Sequence, residues 1–171
     1  ELKSKLIYDE NNTKRYLLNI EWDAQLKKAT VIMLSPSTTT GIFFDKTTNH
    51  VLENLFNLNY GSVDIVNLYA ELDIHGYNAE SDIDNLKSIK KSIEKTDIII
   101  YAVGTGHRTS KGVVTREKEM LEIISKHSDK CFCIADKQGK TFYHPLCPKV
   151  KEWNLVELPF AVILKELTKD D

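Results

Sequence analysis

Apolar residues along this chain arrive in short bursts, and their spacing alternates between the period of a strand and that of a helix. "KLIYDENNTKRYLLNIEW" holds two strand-like runs around a polar Asn-Asn-Thr-Lys turn, the pattern of an N-terminal hairpin. "ATVIML" is apolar throughout, as a strand buried on both faces should be. "TNHVLENLFNLNYG" sets Val51, Leu52, Leu55, Phe56 and Leu58 on a helical face, with Gly61 able to end the helix. "SVDIVNLYA" predicts a second buried strand, and "DIDNLKSIKKSIEKT" a helix with Ile83, Leu86, Ile89 and Ile93 on one stripe. "DIIIYAVG" reads as a third strand, "VVTREKEMLEIISKHS" as a helix and "KCFCIAD" as a fourth strand. "LPFAVILKELTK" closes the chain as a short helix begun by Pro159.

Strands alternating with helices predict an α/β fold whose parallel sheet is covered on both faces. In such sheets ligands bind beyond the carboxyl ends of the strands. Four stretches leave strand ends toward that rim: "SPSTTTGIFF", "NLYAELDIHGYN", "GTGHRTSKG" and, after a turn, "YHPLCP". Nearly all the unusual chemistry of the chain sits in them. The 171 residues suffice for one domain, 1–171, without repeat, linker or low-complexity run.

Composition narrows the function classes. Lys plus Arg is 23 against 25 Asp plus Glu, so a general non-specific nucleic-acid binder is not indicated, though a local patch would suffice for DNA. No window approaches the roughly 18 to 20 continuous apolar residues of a membrane span, so no membrane partner is expected. The "ELKSKLIYDENN" start lacks a signal-peptide core, which makes a soluble cytoplasmic protein the expectation. Three cysteines, Cys131, Cys133 and Cys147, argue against a disulfide framework. With His144 they match no standard zinc spacing, so neither metal nor cofactor is expected.

Within the rim, Pro36 stops the first strand, and Ser35, Ser37 and Thr38 offer hydroxyls that serve a turn or line a polar ligand. Gly41 permits a bend before Phe43 and Phe44, one of which belongs in the core, because neighbours in extended chain face opposite ways. Asn67 ends the second strand in an apolar run; it either pins a loop or reads a ligand edge, since its amide donates and accepts at once. His144-Pro145 lies beyond the fourth strand, while His75 and His107 sit in loops and His50 and His127 on helix surface. "GTGHRTSKG" precedes a helix but matches neither phosphate-loop spacing; Arg108 and Lys111 are the phosphate-contact candidates there. Asp45, Asp64, Asp73 and Asp82 are scattered, none paired with a base, and no serine-hydrolase elbow is present.

The order "MLSPST", "VNLYA", "YAVG", "HPL" resembles the family called domain of unknown function 1643, over roughly residues 15 to 160. Its Leu-Asn-Pro-Ser-Thr stands here as Leu34-Ser35-Pro36-Ser37-Thr38, its Asp-Pro-Thr as Asp45-Lys46-Thr47, its Asn-Leu-Phe-Ala as Asn67-Leu68-Tyr69-Ala70, and its Asn-Asp pair as Asp84-Asn85. The same strand-end motifs resemble, more distantly, the uracil-DNA glycosylase superfamily. That resemblance implies a three-layer α/β/α domain around a central four-stranded parallel sheet, with the N-terminal hairpin added. It implies that Phe43 or Phe44 stacks on a base, that Asn67 reads the base edge, and that His144 contacts a base carbonyl. Ser35 falls where the superfamily carries the Asp or Asn that activates or positions water, and Leu146 replaces a Ser near the DNA phosphates.

Serine cannot serve as a carboxylate at neutral pH, and loss of a general base costs about 10² to 10⁴ in rate. Three readings follow. The first is a pseudoenzyme of glycosylase fold that binds a nucleobase, DNA or an acidic DNA-mimic glycosylase inhibitor protein. The second is an active N-glycosidic hydrolase of nucleotides or modified bases using Asp45 or Asp64. The third is an interaction module in which Phe43, Asn67 and His144 are dispersed.

Overall fold

The hairpin forms where the polar turn predicts it, with Lys3–Tyr8 (β1) antiparallel to Arg15–Glu21 (β2). It does not stand apart, however. In the computed structural model, which describes residues 1–37 and 42–169, β2 pairs antiparallel with the second buried strand, Tyr60–Asn67 (β4). An isolated two-stranded ribbon is marginal in water. Docking on β4 lets β2 bury Leu18 and Ile20 beside Val63 and Ile65.

The remaining predicted strands are Lys27–Met33 (β3), Ile98–Tyr101 (β5) and Cys131–Ala135 (β6). A seventh, Asn154–Glu157 (β7), pairs antiparallel with β6. It escapes a sequence reading because "NLVE" is four residues long with both ends exposed. The described residues thus build one seven-stranded mixed sheet in the order β1-β2-β4-β3-β5-β6-β7, where a four-stranded parallel sheet plus hairpin was expected. Its four middle strands, β4-β3-β5-β6, do run parallel.

Side-chain alternation splits the core in two. Ile32, Val66, Ile99 and Tyr101 pack against the helices Ile83–Glu94 (α2), Lys111–Ser125 (α3) and Phe160–Leu167 (α4). Val31, Met33, Ile65 and Ile100 face the other way, against helix Lys46–Asn57 (α1) and the segment holding Tyr143, Val150 and Trp153. Asn54 of α1 clamps that segment: its Oδ1 accepts from Trp153 N–H at 2.8 Å and its Nδ2 donates to Lys151 O at 3.2 Å. His50 is drawn into the same seam, half-buried beside Trp153, and is therefore not plain helix surface.

The buried stripes of α1 and α2 are narrower than the apolar spacing predicts. Phe56 is 67% exposed and Ile83 69%, so both lie outside the buried faces of α1 and α2. Asn59, at φ 63°, turns the chain just beyond α1, whereas Gly61 already belongs to β4. A Cβ on Gly61 would fall 1.9 Å from the carbonyl oxygen of Asp23, which explains the glycine by close packing. Pro159 precedes α4 as its N-terminal flank. Among the described residues no helix is long and apolar enough to cross a membrane.

Candidate functional site

Because β4, β3, β5 and β6 run parallel, their carboxyl ends share one rim. The chain leaves β3 through half-buried Ser35, buried Pro36 and half-buried Ser37; Thr38 and Gly41 lie outside the described residues. The Ser37 carbonyl accepts from Arg15 Nη1 at 3.0 Å. Asp45 caps α1, its carboxylate accepting from Thr48 N–H at 2.9 Å. Burial pushes the Asp45 carboxyl up, but hydrogen bonds from Thr48 and Ser37 and the Arg15 charge together hold it below the usual carboxylate range.

β4 ends at Asn67, in register with Met33 of β3 and on the α1 side of the sheet by alternation with Val66. Its side chain is 1% exposed, yet neither Oδ1 nor Nδ2 has a partner among the described residues. The backbone here is fully secured. Asn85 of α2, wholly buried, donates from Nδ2 to the carbonyls of Asn67 at 2.9 Å and Leu68 at 3.3 Å. Arg116 of α3 also donates to Leu68 O and to Glu80 O, and its guanidinium lies 4.8 Å over the Tyr69 ring.

β5 gives way to Gly104 at φ 77°, a backbone region that glycine enters without strain. A Cβ there would lie 3.1 Å from Cβ of His144. Gly104, His107, Phe142, Tyr143, His144 and Cys147 help line a groove of about 710 Å³. The Leu146 N–H donates to His144 Nδ1 at 3.2 Å, so the neutral ring carries its proton on Nε2. Burial, then the neighbouring His107 charge, push the His144 pKa below its ordinary value, while Asp45 pulls it up. His107 rests on the Tyr77 ring at 5.0 Å, and Tyr77 on Tyr69 at 5.2 Å.

The rim thus links Asp45 and Arg15 through Ser37, and His107 and Asp45 each act on His144 through their fields. Phe44 packs against the α1-side core, whereas Phe43 is 79% exposed. Neither phenylalanine, nor Asn67, lines the His144 groove. Arg108 does not present itself to a phosphate. It donates to Glu117 from Nε at 3.1 Å and Nη2 at 3.2 Å, and to Glu166 from Nη1 at 2.9 Å, so its charge is already matched. Lys111 opens α3 and is exposed. Asp64 sits inside the sheet, accepting from Asn19 at 2.7 Å and paired with Lys28 at 2.8 Å. Three residues before Asn67 along β4, it is roughly 10 Å from the rim and cannot serve chemistry there.

Arg15 and Arg116 support the rim without a motif of their own in the sequence, and Asn85 stands out there only within the family's Asn-Asp pair. The available signal was their type: an arginine in a strand and polar residues on helices otherwise patterned for burial. No group of three or more His, Cys, Asp or Glu among the described residues suits a metal ion. Burial pushes the Cys131 thiol up to about 12, as expected of a packed, inert sulfur.

Comparison with known proteins adds one match, to the family described as Protein of unknown function (DUF1643), over residues 15–146. No curated protein and no solved structure matches the chain.

Proposed function

We propose that this chain, which belongs to the DUF1643 family, is a nucleobase-binding protein built on a uracil-DNA glycosylase-like three-layer domain that lacks efficient glycosylase chemistry. One observation carries the reading: the Asn67 amide, buried at the end of β4 with both polar atoms unpartnered among the described residues. A buried polar group left unpaired costs about 1 to 3 kcal/mol. A ligand edge offering one donor and one acceptor side by side recovers that cost, and a base edge is such an edge. The resemblance implies that Phe43 meets the ring of a flat ligand and that His144 Nε2–H donates to its carbonyl, although neither Asn67 nor Phe43 lines the groove that holds His144. The depressed pKa keeps that imidazole neutral and able to hold a proton at Nε2 near pH 7.

What is lacking is the carboxylate on the β3 exit. Ser35 neither accepts a proton at neutral pH nor supplies negative charge to a cationic sugar. Base release from single- and double-stranded uracil-containing oligonucleotides, with binding followed in parallel, tests this. Binding without release above background supports the reading, and Ser35→Asp should then restore a trace of release. Release at enzymatic rates by the wild type overturns it. Absence of any binding shifts the search for a partner to an acidic, DNA-mimicking protein.

A second reading, an active N-glycosidic hydrolase, has a specific observation in its favour: the Asp45 charge reaches His144. Against it, the Asp45 carboxylate is engaged by Thr48 and Ser37 and is a weakened base. Turnover that persists in Ser35→Ala and disappears in Asp45→Asn would select it.

A further inference from the structure

Six buried side-chain nitrogens and oxygens lack a partner among the described residues, and four of them belong to Arg15, Asn67 and Asn85. All three bear on the end of β4 or on the residues just after it, with Asn85 on the α2 face and the Asn67 side chain on the α1 face. Arg15 N–H donates to Ala70 O at 2.8 Å, and Asn85 holds the carbonyl of Asn67, the last residue of β4. Unspent hydrogen-bonding capacity is therefore concentrated on one strand end.

Arg15 is unusual among the arginines. Only three of the 23 basic residues are arginines, and the other two are fully engaged. Arg108 is matched by Glu117 and Glu166, and Arg116 by two carbonyls, the Tyr69 face and, at 3.8 Å, Glu119. Arg15 is 1% exposed, donates to the neutral Ser37 carbonyl, and has no acceptor for Nε among the described residues. No ion pair forms on it among the described residues, although the fields of Tyr8 and then Asp45 reach it. A guanidinium does not shed its proton, so it stays a cation that is costly to bury alone.

We propose that Arg15 is an anion anchor, its Nε–H donating to a phosphate oxygen of the ligand whose base meets Asn67. The ligand class is then a nucleotide, free or within a single strand, and not a bare base or nucleoside. The inference rests on the base-binding reading and extends it to the ligand's charge. Asp45 opposes a second anion at this point, so inorganic phosphate alone should bind weakly and the base contact must add to it.

Three arginines give three Nε–H signals in a proton–nitrogen correlation spectrum, and Arg15→Lys identifies the relevant one by its loss. The wild type is titrated with uridine, uridine 5′-monophosphate, inorganic phosphate and a short oligodeoxyuridylate. The Arg15 signal should move with the monophosphate and, at high concentration, with phosphate, but not with uridine. The monophosphate should bind about tenfold tighter than uridine, the worth of one charge-assisted hydrogen bond. Arg15→Lys should remove that ratio while uridine still binds; if that variant does not fold, through-bond assignment of the wild-type Nε–H signals identifies Arg15 and its shift decides. Movement with the oligonucleotide alone would identify a strand phosphate as the source. Equal binding of uridine and its monophosphate with an unmoved signal overturns the anchor and leaves the base reading intact. A shift with phosphate but no uridine binding keeps the anchor and removes the base reading. An unmoved signal with no binding of any probe removes both.

Discussion

The ends of β5 and β4 bury polar groups equally deeply and treat them in opposite ways. At the β5 end, Tyr101 Oη donates to Glu117 at 2.6 Å, and Arg108 closes the network from the other side of the same carboxylate. Burial, then the Glu117 charge, raise the Tyr101 pKa far above its ordinary value, so the phenol stays a donor throughout the working pH range. At the β4 end, the Asn67 amide and Arg15 Nε lack partners among the described residues, while Arg15 Nη1 donates to Ser37 O. The first network is complete within the chain, and the second, on the proposed reading, is completed by a ligand. The lesson is that burial of a polar residue does not by itself mark a site; unfilled hydrogen-bonding capacity does.

The largest way to break the comparison is Glu117→Ala. It leaves Arg108 and Tyr101 without their shared acceptor, and stranding one partner of a buried pair typically costs about 3 to 5 kcal/mol. In a domain of this size that lowers Tm by roughly 10 °C or more. Thermal and urea unfolding should register the loss, while nucleotide binding well below the transition should change little. A drop under about 1 kcal/mol would mean that the network is not closed as described.

Asn67→Leu tests the other end and should have the opposite sign. Removing an unsatisfied amide for an apolar group of similar size should stabilise the protein by about 1 to 3 kcal/mol, and base binding should vanish. A variant that is less stable than the wild type would show that Asn67 is already satisfied, and the comparison would collapse.

Gly104→Ala sharpens the geometry between the two ends. A side chain at φ 77° costs about 1 to 2 kcal/mol, and its Cβ would press on His144. Stability should fall by that amount and base affinity with it, whereas Gly106→Ala, which meets nothing within 4 Å, should leave both unchanged.

How much of this was legible beforehand follows the same division. The apolar runs of β3, β4, β5 and β6 announce themselves, because strands buried on both faces must be apolar at every position. Strand partnership does not: nothing in "KRYLLNIEW" states that β2 will pair with β4, since pairing is decided by which edge is left open. At the rim, Asn67 and His144 stood out as polar residues at the ends of such runs. Arg108 misled because a Gly-rich loop before a helix suggests phosphate, while its partners Glu117 and Glu166 lie nine and 58 residues away. Arg15 was invisible for the same reason. Its significance lies in what does not touch it, and only a folded chain shows that.

The smallest effect is the pH dependence carried by His144, and its sign is fixed by the direction of its shift. Burial and His107 depress its folded-state pKa below the ordinary 6.5, with Asp45 opposing them. Above pH 6.5 the ring is neutral in both folded and unfolded chains and adds no slope. As pH falls through 6.5 the unfolded chain takes up the proton first, so stability declines until the folded-state pKa is passed and then levels off. Urea unfolding between pH 8 and 5 should show this decline in the wild type and a shallower one in His144→Asn. If the imidazole proves instead to titrate above 6.5 by NMR, Asp45 dominates its surroundings, His144 is a cation at neutral pH, and the hydrolase reading gains at the expense of the binding one.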